Sequence, residues 1–304
     1  MPTSKIAATL LLTVAAALCV VDIDVWSQAP APAWSASLAE IRQVAGLVPG
    51  TRPLRVNFLK FAASLRTKNF SVEGAPTVPS EQARTAFQVV YAGGTVMVDA
   101  GMSLDVHRFF GRGVEEPYDA AAAAQVERAV GGARMIVVTH EHGDHVAGVV
   151  HTPRAAALAP KTILTRTQVE TLTTSPQMPE LRLTPEEASR YLIVDYDRYL
   201  PVAPGMVLVK AAGHTPGSQM VYVALGSGRE YLLVGDATWH MDGVRQVRGK
   251  DAPWVTEDKS AVLAQLTWLN ELSRTEPALV IVASHDEEQH GDLVTRGLLG
   301  NRLE

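Results

Sequence analysis

The stretch Thr139-His140-Glu141-His142-Gly143-Asp144-His145 decides how the rest of this chain is read. It follows directly on the apolar run Ala133 to Val138, which reads as a buried strand. Histidine is ordinarily scattered over a surface or packed singly in a core. Three imidazoles and the Asp144 carboxylate crowded at a strand end, with the spacing of metal ligands, are therefore informative. In a tight turn, His140 and His142 can face one way while Asp144 and His145 face another. The run can thus feed two metal ions a few ångströms apart.

Three other strand ends carry similar chemistry. His214 lies in Ala211-Ala212-Gly213-His214-Thr215-Pro216-Gly217-Ser218, behind the run Met206 to Ala211. Gly235-Asp236 closes the run Glu230 to Val234, and Ser284-His285-Asp286 closes Ala278 to Ala283. Each alone is an ordinary turn. Together they place ligands at the ends of rigid elements along one sheet edge. Further strands read at Leu54 to Phe61, Thr85 to Tyr91, Thr95 to Val98, Lys161 to Thr165, Tyr191 to Val194 and Gln219 to Leu225. Helical patterns span Ala120 to Val130 and Lys259 to Arg274, and Thr184-Pro185-Glu186-Glu187 opens another helix. Many short strands with interspersed helices and no internal repeat predict an α+β sandwich.

The ordered set His-x-His-x-Asp-His, then His214, Asp236 and His285, resembles the signature of the metallo-β-lactamase superfamily. Val98-Asp99-Ala100-Gly101 is similar to the strand end that precedes the signature there. The resemblance covers roughly residues 54 to 295. It implies an αββα sandwich of two mixed β-sheets flanked by helices, with a dinuclear site at its edge. It also implies that His140, His142 and His214 hold the first metal and that Asp144, His145 and His285 hold the second. Asp236 bridges them, and Asp99 supports the metal loop from behind. The implied cofactor is two Zn²⁺, with iron or manganese as alternatives. Two cations roughly 3.5–4 Å apart share a water and lower its pKa. The implied chemistry is attack by that hydroxide on a carbonyl, with Asp144 or a bound water protonating the leaving group.

The resemblance leaves the substrate open, because function lives in the site and not in the fold. An aspartate at the bridging position resembles lactonases, glyoxalase-type thioesterases and processing ribonucleases rather than true metallo-β-lactamases. Ser284 to Gln289 resembles the His-Asp-x-Glu ending of acyl-homoserine lactonases, and its Asp286 to Glu288 reads as a solvated acidic run able to support the ligands from behind. Those enzymes commonly carry a tyrosine three residues after the bridging aspartate; here Trp239 stands there, read as lining an acyl pocket or packing in the core. His240 beside it reads as a proton-transfer group or, more readily, a surface residue. The Thr165 to Thr174 segment reads as one wall of a substrate cleft. The preferred reading is hydrolysis of a small ester or lactone. A periplasmic β-lactamase, a glyoxalase-type thioesterase and a non-catalytic metal-binding module are the alternatives.

Composition bounds these readings. The 304 residues are 47% hydrophobic with a net charge of −5, which excludes a disordered chain and a nucleic-acid-coating protein. Lys5 followed by the apolar run Ile6 to Val21, broken by Asp22 and Asp24, reads as a signal peptide too short for a confident membrane span. Residues 1–29 are read as the signal, 30–53 as linker and lead-in with a short helix-like stretch at Leu38 to Val44, and 54–304 as the catalytic domain. Cleavage is placed between Gln28 and Ala33, giving an exported, periplasmic or secreted product without a membrane span. The one cysteine, Cys19, then leaves with the signal. The site must be built from histidine and aspartate alone, and its partner is a small-molecule carbonyl compound.

Overall fold

The structure is a computed structural model and describes residues 34–304. The segment read as a signal, with Cys19, lies outside the described residues. Eleven strands are described: β1 Arg55–Thr67, β2 Pro79–Tyr91, β3 Gly94–Val98, β4 Met135–Val137, β5 Thr162–Thr165, β6 Leu192–Val194, β7 Tyr199–Ala203, β8 Met206–Lys210, β9 Gln219–Ala224, β10 Glu230–Leu233 and β11 Leu279–Val282. The first six form one sheet in sequence order, antiparallel across β1, β2 and β3 and parallel from β3 to β6. The other five form a second sheet in the order β11-β10-β9-β8-β7, parallel only between β10 and β11. Both sheets are mixed.

The alternation of side chains along a strand sorts the apolar residues into layers. In β8, Met206 and Leu208 join the layer between the sheets, while Val207 and Val209 join the layer beneath the outer helices. In β3, Val96 and Val98 face inward and Met97 outward. Strands buried on both faces read as unbroken apolar runs, which is how β8 and β9 stand in the sequence. Helices Ala120–Gly132, Gly143–Val150 and Arg166–Thr174 cover the first sheet, and Leu38–Val44 and Lys259–Thr275 cover the second. The architecture is the αββα sandwich that the sequence implies. Among the described residues, no helix is long and apolar enough to cross a membrane.

Two elements escape the sequence patterns for physical reasons. β1 and β2 run on to pair Thr67 with Pro79, and a bulge between Lys60 and Ala62 shifts the side-chain alternation midway. β7 contains Pro201, which argues against a strand, yet it is the sheet's edge, where a missing N–H is tolerated. The lead-in holds the short helix that its sequence reads. Leu38–Val44 is a helix whose Ser37 side chain accepts from the Glu40 N–H, and its Ile41 is fully buried in the outer layer of the second sheet.

One close approach sets the depth of the metal-loop helix Gly143–Val150. The Ala100 N–H donates to His145 O at 2.8 Å and the Gly148 N–H to Gly101 O at 2.9 Å, so the helix lies against the turn after β3. A Cβ on Gly148 would stand 2.0 Å from the Ala100 carbonyl oxygen, with backbone on both sides of the clash. Gly148→Ala is expected to destabilise the protein by about 3 kcal/mol or more, because the helix must move as a unit. Gly132→Ala, whose Cβ meets nothing within 4 Å, is the control and is expected to be near neutral. Urea denaturation of the two variants checks this, and equal midpoints would contradict the packing.

Candidate metal centre

Strand direction delivers the ligands. β3 and β4 are parallel, so Asp99 and the Thr139–His145 loop emerge side by side. β10 and β11 are parallel in the other sheet, so Asp236 and His285 emerge side by side as well. His214 comes from the β8–β9 connection. The sheets are pinned together at this edge: the Gln219 N–H donates to Thr139 O at 2.9 Å and its side-chain amide to Val138 O at 2.7 Å.

The seven residues singled out in the sequence converge in two groups. His140, His142, His214 and Asp236 form one, and Asp144, His145 and His285 form the other, each with ligand atoms within 4.8 Å of one another. Asp236 stands between them. Its Oδ2 lies 3.4 Å from His214 Nε2 and 3.7 Å from His140 Nε2. Its Oδ1 lies 3.3 Å from His145 Nε2 and 3.1 Å from His285 Nε2. Each carboxylate oxygen thus addresses one group. Across the first group His142 Nδ1 and His214 Nε2 stand 3.1 Å apart.

The residues present fit divalent metal ions. Nε2 of His140, His145 and His285 are buried and make no hydrogen bond. Leaving such nitrogens unsatisfied costs about 1–3 kcal/mol each. Three of them facing one carboxylate are explained together by a cation. The electrostatics agree. Burial, with the His214 ring as a like-charged neighbour, pushes His142 down to about 3, so its ring is neutral and its lone pair free. His140 is lowered by burial and then by the His145 ring, with His142 and His214 adding to it. Burial opposes ionisation of Asp236, but the rings of His285, His145 and His140 outweigh it and hold the carboxyl well below its usual range. His145 is raised well above its usual value: burial opposes its charge, and Asp144, Asp99 and Asp236 overcome it. Positive charge is favoured in this pocket, as divalent ions would supply it.

Hydrogen bonds to the outer ring nitrogens orient the ligands. Asp99 Oδ2 lies 2.8 Å from His145 Nδ1, and Asp99 also accepts from the Thr139 N–H and hydroxyl. The Ala83 carbonyl is 2.6 Å from His285 Nδ1. Glu257 Oε2 is 3.0 Å from His214 Nδ1, and the buried Lys250 ammonium donates to Glu257 at 2.9 Å and to the Asp236 carbonyl at 2.7 Å. Asp236 itself accepts from Trp239 Nε1 at 2.6 Å and from the Ser284 hydroxyl at 2.7 Å. Glu141 accepts from the Thr171 and Thr215 hydroxyls and the Gly217 N–H, fixing the His214 loop to the metal loop. That approach needs glycine, since a Cβ on Gly217 would lie 2.5 Å from Glu141 Oε2. Arg84, Lys250, Glu141 and Glu257 are missed by the sequence reading. Only Glu141, inside the motif, carried a positional hint.

Three sequence expectations are corrected. His240 is not a surface residue: its ring is buried, caps the helix Met241–Gln246 by accepting from the Asp242 N–H at 3.0 Å, and stays off the cleft wall. Asp286, read as part of a solvated acidic run, is buried and accepts from Met241 N and Gln289 N. Asp144 is ill suited to donate a proton. Burial alone would raise its pKa, but its ion pair with Arg84 and the His145 ring keep it well below the usual carboxylate range. Trp239 does line the cleft, and Thr171 in the threonine-rich segment forms part of its wall. The cleft is about 640 Å³ and opens onto His142, Asp144, His214 and Asp236.

Comparison with known proteins places this geometry. The profile of the metallo-beta-lactamase superfamily matches residues 82–285, which include all seven candidate ligands. No curated protein sequence matches the chain. Among solved structures, a variant B. thuringiensis enzyme with N-decanoyl-L-homoserine bound at its active site superposes with a TM-score of 0.62 at 19% identity, covering 80% of this chain and 97% of its own. A probable metal-dependent hydrolase from Staphylococcus aureus gives 0.58 at 15%, covering 79% and 91%. A dizinc quorum-quenching lactonase gives 0.53 at 14%, covering 78% and 91%. At these identities the likeness establishes the shared fold.

The carboxylate behind His214 has a measurable role. Glu257→Gln keeps the shape and removes the charge facing His214 Nδ1 and Lys250. It is expected to weaken divalent-metal affinity about 10- to 100-fold, the usual effect of losing such a partner. Competition with a chelating dye checks this, and an unchanged affinity would contradict the orienting role.

Proposed function

This chain belongs to the metallo-β-lactamase superfamily as a metal-dependent hydrolase, and we propose on that footing that it is an exported dinuclear zinc enzyme cleaving a small ester or lactone. The observation that carries the dinuclear reading is the Asp236 carboxylate, with one oxygen toward each histidine group. His140, His142 and His214 would hold one ion and Asp144, His145 and His285 the other. A donor set of imidazole and carboxylate without thiolate suits zinc. Two bound zinc ions supply a water of lowered pKa and Lewis acidity toward a carbonyl oxygen.

The chain's own residues set the rest. Trp239 and Ser284 fix the rotation of Asp236 from two sides, so both of its oxygens stay presented. The Trp239 N–H is consumed in that bond, which leaves its ring, and not its donor, to the substrate. Arg84 keeps Asp144 ionised, so the leaving group takes its proton from water at the site. Phe110, Trp239 and Trp254 give the cleft apolar walls, while the hydroxyl of Thr171 and the amide of Gln177 offer uncharged contacts. Such a cleft suits an acyl compound with a polar carbonyl. The lactone preference is supported by similar folds whose described activity is hydrolysis of N-acyl homoserine lactones. Export is supported by the signal-like sequence of residues 1–29.

Metal analysis of the purified protein is expected to give two zinc ions per chain, with iron or manganese as the results that would correct the metal. Asp236→Ala is expected to bind fewer ions and to lose activity by at least about 100-fold, with its far-ultraviolet circular dichroism unchanged. A panel of lactones, esters, thioesters and penicillins is expected to show turnover of lactones or esters above the rest. Two bound ions without turnover of any of them would overturn the hydrolytic reading. Preferential penicillin hydrolysis would overturn the substrate class.

A further inference from the structure

The charged side chains lining the cleft are engaged by other groups of the protein with one exception. Arg84 pairs with Asp144, and Arg66 pairs with the buried Glu116 and donates to Phe110 O at 2.8 Å. Glu141 is satisfied by hydroxyls and an N–H, and Asp236 by imidazoles, an indole and a hydroxyl. Arg112 remains. Its guanidinium carbon lies 4.9 Å from the Trp254 ring, on the cleft wall, and no carboxylate or acceptor engages it among the described residues. The indole faces the cation and leaves its N–H donors free.

The backbone gives an independent reason to single it out. Arg112 ends the helix Leu104–Gly111 in the left-handed region, at φ 52°, and Gly113 follows at φ 86°. A long side chain in that conformation is strained where glycine would rest comfortably. The C-cap position itself asks for glycine, yet arginine stands there and reaches the cleft. Strain of this kind points to function.

We propose that Arg112, seated on Trp254, is an anion subsite of the cleft, and that the substrate carries a carboxylate remote from the carbonyl that is cleaved. This rests on the reading of the cleft as the substrate site and narrows it, from neutral acyl compounds to those with an anionic tail. The subsite offers one unpaired cation, so a singly charged carboxylate matches it where a phosphate dianion leaves charge over. Guanidinium donors engage a carboxylate in paired N–H···O bonds. The apolar rings of Phe110 and Trp239 accommodate the chain that joins carboxylate and carbonyl.

Two arms test it on the metal-loaded full chain. In the first, calorimetry compares succinate, adipate and suberate with butyrate, hexanoate and octanoate. One carboxylate of each occupies the centre, and only a diacid reaches Arg112 with the other. At least one diacid is expected to bind about fivefold tighter than its monoacid, an advantage that shrinks in 0.5 M salt. Arg112→Gln is expected to abolish that advantage and Arg112→Lys to keep part of it. A diacid advantage equal in wild type and Arg112→Gln, or absent from the wild type, would overturn the subsite. In the second arm, the ratio of kcat/KM for an ester bearing a terminal carboxylate to that for its methyl-capped counterpart is expected to exceed unity and to fall toward it in Arg112→Gln. A ratio unmoved by the substitution also overturns the proposal. If neither ester is turned over, the hydrolytic reading fails, while the calorimetry still decides the subsite.

Discussion

Everything at the sheet edge depends on keeping one buried carboxylate ionised and still. Asp236 sits among four histidines with its side chain nearly closed to water, where burial alone would neutralise it. It remains an anion because rings from both sheets surround it. It remains oriented because Trp239, Ser284 and the Lys250 contact to its own carbonyl take up the rest of its freedom. Two parallel strand pairs then become a requirement. They bring the Thr139–His145 loop on one sheet and the Asp236 and His285 turns on the other to a common edge, and Gln219 locks the two together.

Much of this was legible in the sequence because it is written in local patterns. The double-sided apolar runs of β8, β9 and β10 announce strands buried on both faces. The crowding of His140, His142, Asp144 and His145 behind β4 has no packing explanation, and all seven implied ligands come together. The patterns failed where an irregularity interrupts them. A bulge hides the continuation of β1, and Pro201 disguises an edge strand. His240 and Asp286 look like surface residues because polar side chains usually are. Here both are buried as helix caps, where they accept N–H groups that the helices cannot satisfy internally.

The surrounding charges were not legible for a different reason. Lys250 and Glu257 stand in a stretch without a strand or helix pattern, seven residues apart. Nothing local tells that they meet over His214. Arg84 stands in a strand, far in sequence from Asp144, and only the fold joins them. Buried ions are affordable only as pairs, so a pairing reveals itself when both partners are placed.

These pairs divide the labour at the centre. Arg84 stands behind one ligand group and shares the charge of Asp144; Lys250 stands behind the other and acts on His214 through Glu257. Each cation lowers the net negative charge that the protein offers to metal ions. Two dications would then far outweigh the ligand carboxylates Asp144 and Asp236, one of which is already shared. That excess of positive charge at the cleft floor would polarise a carbonyl and lower the pKa of a bound water. A site built from more carboxylates would bind its ions tightly and lose that excess. A mixture of imidazoles with two carboxylates, one of them paired with Arg84, would keep the ions and leave their charge available to a substrate.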